Sequence, residues 1–96
     1  MTESLYNCDP ASALGSPEAI AVFISDALET NDAAYIAKAI GIVAREKGMT
    51  KLSRETGLSR EQLYRSFSEK GNPTLKTMLA VMQAVGVDIM AKAHHP

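Results

Sequence analysis

The chain has 96 residues, room for one domain around one hydrophobic core. Its 46% hydrophobic content excludes wholesale disorder, and its one cysteine, Cys8, cannot build a disulfide framework. No apolar run approaches the roughly 18 residues that a membrane-spanning helix needs. The formal net charge of −1 conceals a split: residues 1–37 sum to −6 with no Lys or Arg, and residues 38–96 sum to +5. An acidic part and a basic part in one small domain predict two surfaces with different partners. The N-terminus shows no basic stretch leading into an apolar one, so no signal peptide is expected and the cytoplasm is the expected compartment.

Residues 1–15 lack helical periodicity and read as a weakly ordered arm, with Leu5 and Tyr6 as its anchors. Residues 16–96 form the domain. Ser16 as N-cap, Pro17 at the first helical position and Glu18 in the first turn predict a helix start. Ile20, Phe23, Ile24, Ala27 and Leu28 then fall on one stripe. Thr30-Asn31-Asp32 ends that helix, and Asp32 caps a second with Ile36, Ile40, Val43 and Ala44 on its buried face. Gly48 is placed to end it in the left-handed region, behind Arg45 and Lys47.

Three short helices follow. Thr50 is read as the cap of a segment from Lys51 to Thr56, with Leu52 inward and Gly57 as the break. Ser59 caps the next, and Gln62 three residues on completes a capping-box pattern. Leu63 and Phe67 face inward, and Tyr64 is read as a boundary packing residue. Gly71-Asn72-Pro73 is a loop signal. Thr74 caps the last helix, whose inward stripe is read as Leu75, Met78, Leu79, Met82 and Val85, closed by Gly86. Val87, Ile89 and Ala91 alternate with other residues, a pattern open to a short C-terminal strand. His94, His95 and Pro96 are read as a frayed tail. The fold class is all-α, with five helices.

Residues 50–67 have the helix-turn-helix pattern: a short helix, a turn at a glycine, and a capped second helix. Leu52, Leu58, Leu63 and Phe67 would set the angle between the two helices. The second helix could then enter a major groove about 12 Å wide. Its exposed face offers Arg60, Glu61, Gln62 and Arg65. Arg can bind guanine in bidentate fashion, Gln adenine, and Glu can accept from cytosine. Thr50 and Ser59, with nearby helix amides, are suited to phosphates, and Lys51, Arg54 and Lys70 are phosphate candidates by charge. The competing reading of Glu61 and Arg65 is an intrahelical ion pair, since they are four residues apart.

The segment Ala44-Arg-Glu-Lys-Gly-Met-Thr50, together with Glu55-Thr-Gly-Leu-Ser-Arg-Glu61, Leu63-Tyr64-Arg65 and Gly71-Asn-Pro-Thr-Leu75, resembles the addiction-module antidote proteins. These are HigA-type members of the Xre/Cro-like helix-turn-helix group. The resemblance covers roughly residues 16–90. It implies a five-helix, lambda-repressor-like DNA-binding domain in a cytoplasmic antitoxin. Such an antitoxin neutralises a small basic toxin of the RelE/ParE-like fold and, as a homodimer, represses its own operon. Family DNA contacts map onto Lys51, Ser59, Arg60, Glu61, Gln62 and Arg65.

Two other readings remain from the residues alone: a regulator of the same fold without a toxin partner, and a helical interaction domain that does not bind DNA. The acidic part is expected to meet the basic toxin. The dimer interface is left open between an antiparallel ribbon at Val87-Asp88-Ile89 and packing of the last helix across the two-fold. No enzyme, cofactor or metal site is expected. Cys8 and the two histidines lie at opposite ends of the chain, and a catalytic site needs a reactive group with a positioned partner. The five methionines read as adaptable core filler.

Overall fold

The computed structural model describes residues 15–93, and the arm up to residue 14 and the tail from His94 lie outside the described residues. Within them the fold is all-α, with five helices: α1 Pro17–Glu29, α2 Ala33–Lys47, α3 Met49–Thr56, α4 Arg60–Ser66 and α5 Leu75–Ala84. Helix α1 packs on α2, and α3 packs against α2, α4 and α5.

Most of the expected caps form. The Ser16 Oγ accepts from the Ala19 N–H, and the Asp32 Oδ1 accepts from Ala34 and Tyr35. Ser59 accepts from Gln62 and Thr74 from Thr77. Each bond satisfies an amide that the helix leaves without a partner, worth about 1 kcal/mol. Asn31, at φ 54°, makes the reversal between α1 and α2.

Thr50 is not the cap of α3. That helix begins at Met49, and Gly48 is its N-cap, without a side-chain bond. Gly48 closes α2 as well: its N–H donates to the Ala44 carbonyl, while its own carbonyl accepts from Leu52. One residue at φ 103° thus ends one helix and starts the next, a conformation that favours glycine. Because the reversal is compressed into Gly48, Thr50 falls inside the first turn of α3.

The core draws on every helix: Ile20 and Ile24, Ile40, Val43 and Ala44, Met49 and Leu52, Leu63, then Val81 and Met82, with Phe67, Val85 and Val87 at helix ends. Phe23, Leu28, Ile36 and Leu58 pack at its edge. The stripe expected on α5 is half right. Met82 and Val85 are buried and Met78 is partly buried, but Leu75 is 67% and Leu79 47% exposed, and Thr77 and Val81 take the inward positions. Helix α5 is apolar on more than one face, so its period alone does not choose which face turns inward.

No strand forms among the described residues. After Gly86, at φ 84°, Val87 is buried, but the segment that follows has no paired neighbour among the described residues, and a strand needs one.

Candidate nucleic-acid interface

Helices α3 and α4 are joined through Gly57, whose φ of 79° and ψ of 2° put it in the left-handed region. The turn is stitched by Thr56. Its Oγ1 donates to the Leu52 carbonyl at 2.6 Å and accepts from the Leu58 N–H at 3.2 Å. This contact was invisible in the spacing, because a threonine at a helix end has many local options. Below the turn, Leu52 and Leu63 are almost fully buried against each other's helices, and each contributes about 1.5–3 kcal/mol by removal from water.

The carboxyl end of α4 is pressed against α2. A Cβ on Gly41 would lie 3.1 Å from the Phe67 Cβ and 3.3 Å from the Phe67 carbonyl oxygen. That close approach favours a small residue at 41, and it fixes where α4 leaves the core. The chain then turns sharply: the Gly71 N–H donates to the Ser68 carbonyl at 2.9 Å. A Cβ on Gly71 would collide with the backbone carbonyls of Arg65 and Ser66. The Gly71-Asn72-Pro73 loop is therefore folded back under α4 by a steric requirement.

All eight residues proposed for DNA stay off the core. Thr50, Lys51, Ser59, Arg60, Glu61, Arg65 and Lys70 are exposed, and Gln62 is half-buried on the flank. Arg54 is exposed too. Glu61 and Arg65 form no ion pair within 4 Å. The pair within that limit among the described residues joins Lys92 to Glu29, far along the chain. Among the described residues neither side chain has an ion-pair partner. Tyr64 is 42% exposed and outside the core cluster, so it stands on the open surface and not at a packed boundary. Ser59 forms half of the capping box: its Oγ receives the Gln62 amide, and no return bond from the Gln62 side chain is made.

A crevice of about 330 Å³ opens beside α4, and it brings together Gln62 and Arg65 with Asn72, Thr74 and Lys76 from the loop and the start of α5. Lys76 was missed by sequence reasoning, because it sits outside the two-helix unit and only the folded-back loop carries it to the flank of α4. The first amides of α3 add a second feature. The earliest N–H within that helix to find a carbonyl is that of Leu52, bonded to Gly48, so the amides of Met49, Thr50 and Lys51 precede the hydrogen-bonded ladder. Together these parts form a cationic, donor-rich surface around one exposed helix, with a chemistry suited to a polyanion that presents base edges.

The acidic residues occupy other ground. Glu18, Asp26, Glu29 and Asp32 are exposed on α1 and at the start of α2, around an exposed Val22. No helix among the described residues is long and apolar enough to cross a membrane.

Comparison with known proteins bears on this arrangement. The family model described as "Probable addiction module antidote protein" matches residues 4–93, which extends the resemblance over most of the N-terminal arm as well. An uncharacterized protein of Haemophilus influenzae is 36% identical over 92 residues, covering 96% of this chain and 95% of its own length. No solved structure matches. An antidote family implies a toxin partner. By the extent of the match, the chain belongs to the addiction module antidote family.

Proposed function

We propose that the protein is a DNA-binding antitoxin: a HigA-type, Xre/Cro-like helix-turn-helix protein that reads an operator through α4, represses its own operon as a homodimer and neutralises a small basic toxin of the RelE/ParE-like class. The observation that carries the DNA reading is the exposed face of α4, which makes no ion pair among the described residues. Arg60, Glu61, Gln62 and Arg65 are presented by a helix whose two ends are held by Ser59 and by the Gly41–Phe67 contact.

The division of labour follows from chemistry. Arg65 and Gln62 carry planar, two-pronged hydrogen-bonding groups that suit guanine and adenine, and Glu61 suits the amino group of cytosine. Lys51, Arg54, Lys70 and Lys76 are flexible or peripheral cations that suit phosphates, and Thr50 and Ser59 add hydroxyl and amide donors. Phosphate contacts position the helix and base contacts specify the sequence. In a two-fold dimer the two copies of α4 would meet half-sites about 34 Å apart.

The toxin reading rests on family membership and on charge. An acidic surface on α1 accelerates encounter with a basic partner and disfavours others. Val22, at 62% exposure, offers an apolar centre within it. The compartment that fits this role is the cytoplasm, and the role requires no catalysis and no cofactor.

The test is a gel shift at low salt with the DNA upstream of the protein's own reading frame. A retarded complex that Arg65→Ala weakens on this fragment more than on random DNA supports the reading. Absence of any shift by a protein shown to be dimeric overturns the DNA part and favours a helical interaction domain.

A further inference from the structure

We propose that the segment Asp88–Lys92 is the dimer interface, pairing antiparallel with the same segment of a second copy about a two-fold axis at Met90. This deepens the reading above, which calls for a two-fold dimer but leaves its interface open.

The segment is held straight along α1. At its start, a Cβ on Gly86 would lie 3.6 Å from Pro17, at the amino end of that helix. Near its end, Met90, Ala91 and Lys92 line a crevice with Ser25, Leu28 and Glu29, and the Lys92 Nζ lies 3.8 Å from Glu29. From Pro17 to Ser25 and Leu28 a helix rises about 12–17 Å. The four or five residues from Gly86 to Met90 and Ala91 cover that distance only if they are extended, at about 3.3 Å each. The chain therefore has strand geometry without a strand's partner among the described residues. None of the backbone groups from Asp88 to Ala93 has a hydrogen-bond partner among the described residues.

Side-chain pattern points to the same edge. Val87 is buried and Ile89 is 39% exposed, whereas Met90 is 86% exposed. A large apolar side chain this open, on an extended segment anchored at both ends, is a template for pairing.

The occupant is a second copy because the segment complements itself. In an antiparallel pair centred on Met90, Asp88 stands opposite the partner's Lys92, and Lys92 opposite the partner's Asp88. Met90 meets the partner's Met90, and Ile89 stands opposite the partner's Ala91. Directly opposed residues of opposite charge favour such a pair, and like charges oppose it. The symmetry is that of an isologous contact, in which each residue meets its counterpart's complement.

The experiment uses the full chain in a Cys8→Ser background. Sedimentation equilibrium first establishes whether the unmodified protein dimerises. Met90→Cys is then oxidised gently, beside Leu79→Cys as a probe of the other exposed apolar surface, on α5. Opposed residues in an antiparallel pair have Cα atoms about 4.5–5.5 Å apart, within the disulfide range. Rapid covalent dimer from Met90→Cys and none from Leu79→Cys is the expected result.

Asp88→Lys should raise the dimer dissociation constant on the order of tenfold, since it turns two attractive pairs repulsive. Adding Lys92→Asp should restore it, because the Lys92–Glu29 pair given up is highly exposed at both ends and worth little. A dimer that cross-links only through Leu79→Cys and ignores the charge substitutions overturns this interface while leaving the dimeric reading intact. A chain that stays monomeric overturns both.

Discussion

Gly41 and Phe67 bring α2 and α4 into close approach: a Cβ on Gly41 would lie 3.1 Å from that of Phe67, tight enough that a neighbour must give by a few tenths of an ångström. The small residue at 41 lets α4 sit close against α2. Gly41→Ala should be close to neutral, because the gain in helix propensity, about 1 kcal/mol, offsets a few tenths of an ångström of displacement. Gly41→Leu should lose roughly 1–3 kcal/mol by overpacking. Urea midpoints measure both, and a Leu variant as stable as the parent would show that the contact does not set α4.

Gly71 is less forgiving. Its missing Cβ faces the backbone carbonyls of Arg65 and Ser66, which cannot swing aside as a side chain does. Gly71→Ala should cost roughly 1–3 kcal/mol and lower the thermal midpoint by several degrees. The loop it folds carries Lys76 to the flank of α4, so DNA affinity of the folded variant should fall as well.

Thr56 should be replaceable by Ser but not by Val. Its hydroxyl donates to Leu52 and accepts from Leu58. Thr56→Val leaves the partly buried Leu58 N–H without this acceptor and should cost about 1 kcal/mol or somewhat more, while Thr56→Ser retains both bonds. Denaturant melts of the two variants compare them directly.

DNA binding should separate base from phosphate contacts. Arg65→Ala should lose about 1–3 kcal/mol on the operator and relax preference at one base pair. Lys51→Ala and Lys76→Ala should weaken operator and random DNA alike, each reducing the salt slope by about 1 per site. Fluorescence anisotropy on the two DNAs separates the classes.

Neutralising the acidic surface should act on encounter rate. Asp26→Asn, Glu29→Gln and Asp32→Asn together should slow association with a basic toxin at low salt, with little change in dissociation. Stopped-flow mixing reads this, and an unchanged association rate removes α1 from the toxin interface. Asp32 also caps α2 through Ala34 and Tyr35, and Asn retains an accepting oxygen there, so the fold should survive.

Much of the fold was legible because local chemistry and fold agree. Ser16, Asp32, Ser59 and Thr74 cap the helices their spacing announces, Leu63 and Phe67 are buried as their one-turn spacing requires, and Leu52 is buried as read. What escaped depended on neighbours. Gly48 serves two helices at once, which displaced the expected cap from Thr50. Helix α5 carries apolar residues on two faces, and only packing against α3 selects Thr77 and Val81 over Leu75 and Leu79. Tyr64 gave an ambiguous angle and lies open. The residues of the candidate interface on α4 were readable from one helix period, but Lys76 was not, since the Gly71 turn had to fold before it could stand beside Arg65.

A chain of net charge −1 that binds duplex DNA must do so through a locally cationic face. The most direct measurement is the salt dependence of binding to the upstream DNA fragment. If each copy neutralises about four phosphates, log K should fall against log salt with a slope near −7 for the dimer. A slope near that value, reduced by Lys51→Ala and Lys76→Ala, is the expected result. Binding absent at low salt, or insensitive to salt, would rule out a cationic DNA-binding face on this protein.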